Sequence, residues 1–126
     1  MNKPTVLVVE DDSPTQTMLG LLLGYGGFDV LVADDGRMAL EVLETLRVDL
    51  ILTDLMMPVL DGVELIKELK RRKELAGLPV IVLTAGSDEL QARAVKAGAV
   101  AILQKPKDVP RVAENITPHL RQEVVA

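Results

Sequence analysis

The sequence predicts an α/β domain: a doubly wound, five-stranded parallel sheet in strand order 2-1-3-4-5, with five helices. Two observations carry this. Five short β-branched runs alternate with longer stretches of helical period. Such alternation argues for an open, mostly parallel sheet covered on both faces. With hydrophobic residues at 48% and aromatics at only 2%, the core between the layers must be packed by Leu, Val, Ile, Ala and Met.

The first strand is "TVLVV", residues 5–9, and the helix after it opens at Ser13-Pro14, an N-cap followed by a first-turn proline. Asp12 beside that pair also reads as a helix cap, and "GYGG" stops the helix. After the strand "FDVLVA", a helix from Arg37 to Leu46 sets Ala39, Leu40, Val42, Leu43 and Leu46 on one face. The third strand is "DLILTD", and Asp61-Gly62 reads as the cap and turn that end the loop behind it. A helix from Gly62 to Leu75 then points Val63, Leu65, Ile66 and Leu69 inward and "KELKRRKE" outward, the basic run being a solvated face. The fourth strand "PVIVLTA" precedes a helix capped by Ser87 and Asp88 and running to Gly98. The fifth strand "VAILQ" leads to a helix starting near Pro110 that buries Val112, Ile116 and Leu120. Pro118 is expected to kink or shorten it, and His119 to be exposed.

At 126 residues the chain is expected to form one domain, 1–126, without repeats or linkers. The net charge of −5 leaves no basic footprint for nucleic acid or an anionic membrane surface. Having no cysteine excludes disulfides, thiol catalysis and cysteine-ligated metals, and the single histidine argues against a zinc site. The N-terminus meets the acidic cluster "EDD" too soon for a signal peptide, and no apolar run spans a bilayer, so a cytoplasmic protein is expected.

In such a sheet, ligands bind outside the carboxyl ends of the strands, where the strand order reverses. The residues at those ends are Glu10, Asp11 and Asp12 after the first strand and Asp54 after the third. Thr84 ends the fourth, and Lys105 follows the fifth. Carboxylates gathered in one crevice repel unless a cation compensates. Oxygen-only ligands suit Mg²⁺. A carboxylate can also attack phosphorus to form an aspartyl phosphate, with a metal, a lysine and a hydroxyl neutralising the phosphoryl oxygens. On this reading the apolar strand exists to hold Asp54 rigidly as a phosphoryl acceptor.

The motifs "VLVVEDD", "LILTDLMMPVLDG", "VIVLTA" and "KP", in this order and spacing, resemble those of the response-regulator receiver domain of bacterial two-component signalling. The resemblance covers essentially the whole chain and is closest to single-domain, chemotaxis-regulator-like receivers of flavodoxin-like fold. It implies that Asp54 is the phosphorylation site and that Mg²⁺ is held by Glu10, Asp11, Asp54 and the Met56 backbone carbonyl. Asp11 would bind the metal directly and Glu10 mainly through water. Thr84 and Lys105 would each contact a phosphoryl oxygen, and the bond before Pro106 would be cis. The implied partners are a histidine kinase or histidine phosphotransfer protein upstream, and a protein binding the face of the fourth helix, fifth strand and fifth helix downstream. The implied role is a signalling phosphoacceptor rather than an enzyme on other substrates.

Two departures bear on the switch rather than the chemistry. Ile102 stands where the family often has Phe or Tyr, and Lys107 where it often has Phe. A haloacid-dehalogenase-type phosphatase also uses a strand-end Asp, but it wants a second Asp two residues on, where this chain has Met56. The chain stops at "RQEVVA", just after the fifth helix, so a stand-alone receiver is expected; a receiver excised from a longer regulator or hybrid kinase is the other alternative.

Overall fold

The computed structural model describes residues 3–120. The C-terminal "RQEVVA" and the first two residues lie outside them. The elements run β1 (Thr5–Val9), α1 (Ser13–Tyr25), β2 (Asp29–Ala33), α2 (Gly36–Thr45), β3 (Leu50–Thr53) and α3 (Gly62–Arg71). They continue with β4 (Val80–Thr84), α4 (Asp88–Ala97), β5 (Ala101–Gln104) and α5 (Val112–Ile116), closed by a 3-10 turn, Thr117–His119. All five strands are parallel, in the order β2-β1-β3-β4-β5. The flavodoxin-like architecture expected from the sequence is present.

Alternation along the strands divides the core into two layers. Leu7, Val9, Ile51 and Val82 point to one face, where Ala39, Val63, Leu65, Ile66, Leu69 and Ala94 of α2, α3 and α4 cover them. Val6, Val8, Leu50, Leu52, Ile81 and Leu83 point to the other, under Leu19 and Leu23 of α1 and Val112 and Ile116 of α5. Each fully buried Leu or Ile contributes about 1.5–3 kcal/mol over an exposed one, so the central strands are the stable part of the domain.

Several boundaries differ from the sequence expectation. Asp12, not Ser13, is the N-cap of α1, accepting from Thr15 N–H at 3.0 Å, and Ser13 is the first helical residue. α2 opens one residue earlier than expected, on the Asp35 cap, and ends at Thr45; Leu46 is its C-cap and is 49% exposed rather than on the buried face. α3 stops at Arg71 instead of Leu75. Beyond it the chain turns back, with Leu75 N–H donating to the Arg72 carbonyl and Leu78 N–H to the Leu75 carbonyl. These turns tuck Leu75 and Leu78 onto the core that a longer helix would overshoot. α5 is only five residues long, and Pro118, which has no N–H to donate, sits in the 3-10 turn. His119 is half-buried rather than exposed, and Leu120 packs partly against the second layer. The caps at Asp61 and Ser87 form as the sequence suggests, accepting from Glu64 and Leu90 N–H.

Candidate functional site

The register places Glu10, Asp11 and Asp54 at the same end of two neighbouring strands. Val9 pairs with Thr53 across β1 and β3, so the next residue on each strand enters the crevice above the sheet. Both backbones are pinned there: Asp54 N–H donates to the Val9 carbonyl and Glu10 N–H to the Ala33 carbonyl, each at 3.0 Å. One carboxylate oxygen from each of Glu10, Asp11 and Asp54 falls within 4.8 Å of the others. Glu10 and Asp54 are buried and Asp11 is exposed, so the cluster opens to solvent on the Asp11 side. Three oxygen donors in this arrangement suit a hard divalent cation.

Lys105 supplies the compensating charge. Its Nζ donates to Asp54 Oδ2 at 2.9 Å and, in a shorter contact, to Glu10 Oε1. Burial pushes the Glu10 carboxyl above the usual carboxylate range, although the bond from Lys105 and the Asp12 N–H oppose the rise. Burial pulls the Lys105 ammonium down, but its bonds to Glu10 and Asp54 outweigh this and leave it above the ordinary lysine value. The Lys105–Pro106 peptide is cis, and Lys105 N–H donates to the Thr84 carbonyl at 3.0 Å. Thr84 is fully buried at the end of β4, its hydroxyl accepting from Gly86 N–H at 3.0 Å.

The β3–α3 loop shapes the Asp54 side. Asp54 Oδ1 accepts from Leu55 N–H at 2.6 Å and from Met56 N–H at 3.3 Å, which fixes the carboxylate plane. The loop returns so tightly that a Cβ on Gly62 would stand 2.3 Å from the Asp54 carbonyl oxygen; only glycine fits. The Met56 side chain is 53% exposed, leaving the mouth of the crevice without a polar group at that position.

Two site features were not visible in the sequence. Gln16 Nε2 donates to the Glu10 carbonyl and to Asp34 Oδ1 at 2.7 Å, tying α1 to the ends of β1 and β2. Val59 has φ of +68°, and Leu60 N–H donates to the Pro58 carbonyl at 2.8 Å across it, forming a γ-turn of the rare, strained hand. A β-branched residue in that region costs about 1–3 kcal/mol, and glycine avoids the cost. Val59→Gly should therefore raise stability by about 1 kcal/mol, after allowing for glycine's larger unfolded-state freedom. Urea unfolding midpoints of the two proteins check it; a lower midpoint for the glycine variant would show an unstrained turn.

Residues 6–117 match the family described as response regulator receiver domain. The chain belongs to that family. As a receiver domain it is 36% identical over 127 aligned positions to the alkaline phosphatase synthesis transcriptional regulatory protein PhoP of Bacillus subtilis, covering 100% of this chain and 52% of that protein. It is 40% identical over 123 positions to the transcriptional regulatory protein CpxR of Klebsiella pneumoniae, covering 97% and 50%. The chain thus spans about half the length of these curated relatives. Among solved structures, the chemotaxis protein CheY4 of Vibrio cholerae superposes with a TM-score of 0.85 at 29% identity, covering 93% of this receiver and 98% of that chain. A response regulator receiver protein of Pseudomonas putida gives 0.84 at 31%, covering 94% and 98%. Membership supports a phosphoacceptor role in general terms. No helix among the described residues is long and apolar enough to cross a membrane.

Proposed function

We propose that residues 1–126 form one cytoplasmic receiver domain in which Asp54 accepts a phosphoryl group from a histidine kinase or histidine phosphotransfer protein. The observation that carries this reading is the buried Asp54 carboxylate bonded to Lys105 and clustered with Glu10 and Asp11. An Asp54 oxygen forms the new bond to phosphorus as the bond from phosphorus to the donor breaks, and the donor group leaves with that electron pair. The two N–H bonds to Oδ1 hold the nucleophile in line. Lys105 gives up Asp54 for a phosphoryl oxygen while keeping Glu10, so its charge follows the charge that develops. Thr84 exchanges its bond from Gly86 for one it donates to another phosphoryl oxygen.

Glu10, Asp11, Asp54 and the Met56 carbonyl are the groups to hold Mg²⁺, and the all-oxygen donor set fits it. When bound, the ion supplies neutralisation of phosphoryl charge. Rearrangement of Thr84 and Lys105 is then carried to the α4–β5–α5 face, where a downstream protein binds. Incubation with acetyl phosphate and Mg²⁺ should add one phosphoryl group by intact mass, and EDTA should prevent it. Labelling that ignores EDTA, or falls outside residues 49–62 on peptide mapping, would refute the assignment.

The lifetime of the product follows from the mouth of the crevice. Hydrolysis needs a water in line with the phosphorus, and neither Met56 nor Gly86 offers a polar side chain to orient one. Met56→Asn should speed dephosphorylation by about tenfold, or about 1.4 kcal/mol of barrier. Decay of the labelled species followed by mass spectrometry checks it, and equal rates would remove the role of Met56.

A further inference from the structure

Away from the crevice, α3 and α4 enclose a groove of about 450 Å³ lined by Val63, Lys67, Arg93, Lys96 and Ala97. Spacings of four residues on each helix, Val63 to Lys67 and Arg93 to Ala97, put two successive turns of each against it. Val63 at its base is only 1% exposed and already covered, so the reachable lining is Ala97 and three cations, with no carboxylate.

This charge is out of keeping with the molecule as a whole, whose net charge is −5. Elsewhere on α3 the cations are answered: Glu68 takes Arg71 at 2.7 Å and Arg72 at 3.4 Å. In the groove only Lys67 has an ion partner, Glu64 at 3.4 Å. Among the described residues, the side chains of Arg93 and Lys96 make no hydrogen bond or ion pair. Lys70 adds a further positive charge nearby, its stem crossing Gly98 at the end of α4 and its Nζ donating to the Ala76 carbonyl. Arg93 and Lys96 thus stand beside two further lysines with no carboxylate of their own, and an anionic occupant would relieve the repulsion.

We propose that the α3–α4 groove receives an acidic segment of a partner protein, its carboxylates on Lys67, Arg93 and Lys96 and an apolar side chain against Ala97 and the aliphatic stems of those cations. An apolar centre with a charged rim is the pattern of a protein contact. The cations sit on long, flexible stems spread over two helices, which suits the spaced carboxylates of a peptide. The groove shares no residue with the crevice.

The test uses the whole chain and a stapled helical peptide of about 15 residues, with leucines four apart flanked by glutamates, beside a twin carrying Gln for every Glu. Titration followed by ¹⁵N amide shifts should move Val63, Lys67, Arg93, Lys96 and Ala97 with the Glu peptide. The Gln twin, and Arg93→Glu/Lys96→Glu titrated with the Glu peptide, should each bind at least about tenfold more weakly, with dispersed spectra showing the variant folded. Arg93→Gln/Lys96→Gln should lose less than the reversal, separating charge from packing. Equal binding of the two peptides, or shifts centred elsewhere, would overturn the proposal. So would pyrophosphate moving the same amides at lower concentration than the peptide, because the groove would then be a small-polyanion site.

Discussion

Asp54→Asn should abolish labelling by acetyl phosphate while leaving the fold in place. The amide oxygen still accepts from Leu55 and Met56 N–H, so the loop keeps its geometry. What disappears is the anion. A neutral amide is no nucleophile toward phosphorus at neutral pH, and no other carboxylate shares its two N–H donors. The variant also removes one of the three clustered carboxylates, so Mg²⁺ should bind more weakly and raise the melting temperature less than in the wild type. Intact mass after incubation reads the first effect, and thermal melts with and without millimolar Mg²⁺ read the second. A phosphoryl increment equal to the wild type's would sink the assignment of Asp54.

Lys105→Met has the next largest effect, and it is one of stability as well as activity. Among the described residues, Lys105 is the one cation that pairs with Glu10 or Asp54, whose side chains are 3% and 8% exposed. Removing one partner of a buried ion pair costs about 3–5 kcal/mol, because the other charge is left uncompensated. The pH dependence has a definite sign. Burial already raises the Glu10 pKa, so its ionised form costs stability above the folded pKa and the cost vanishes as pH falls through it. Without Lys105 that cost deepens. The Lys105 contribution in the wild type, with its folded pKa raised, is complete below the ordinary lysine value of 10.5 and lost only as pH rises past its folded value. The deficit of Lys105→Met should therefore be greatest at about pH 8 and shrink toward about pH 5 as Glu10 takes up a proton. Urea unfolding at the two pH values measures it. A deficit independent of pH would mean that Glu10 is not the group left exposed to the loss.

The crevice was legible in the sequence because a parallel sheet turns sequence position into spatial position. Once β1 and β3 are neighbours, residues directly after Val9 and Thr53 must meet, and Glu10, Asp11 and Asp54 are those residues. Caps were legible at Asp12, Asp61 and Ser87; only Ser13, also read as a cap, is instead the first helical residue of α1. The end of α3 was not legible. Leu75 continues the helical spacing, yet a compact turn buries a leucine at that spacing equally well. Gln16 reaches Asp34 across 18 positions of sequence, which no local pattern reports. Val59 ran against its own propensity: its positive φ is imposed by the loop's return to Gly62.

The two halves of the crevice rest on strands of unequal protection. β3, which delivers Asp54, is bonded on both sides and all four of its residues are buried. β5, which delivers Lys105, is an edge strand bonded only to β4, and none of its four residues is buried. Local opening costs least where few buried contacts hold the backbone, so β5 can fray while the remaining sheet stays closed. Each such fluctuation withdraws the ammonium and leaves the carboxylate standing. Anything that grips the β5 edge thereby lengthens the time Lys105 spends in place, making occupancy of that edge a control on chemistry one strand removed.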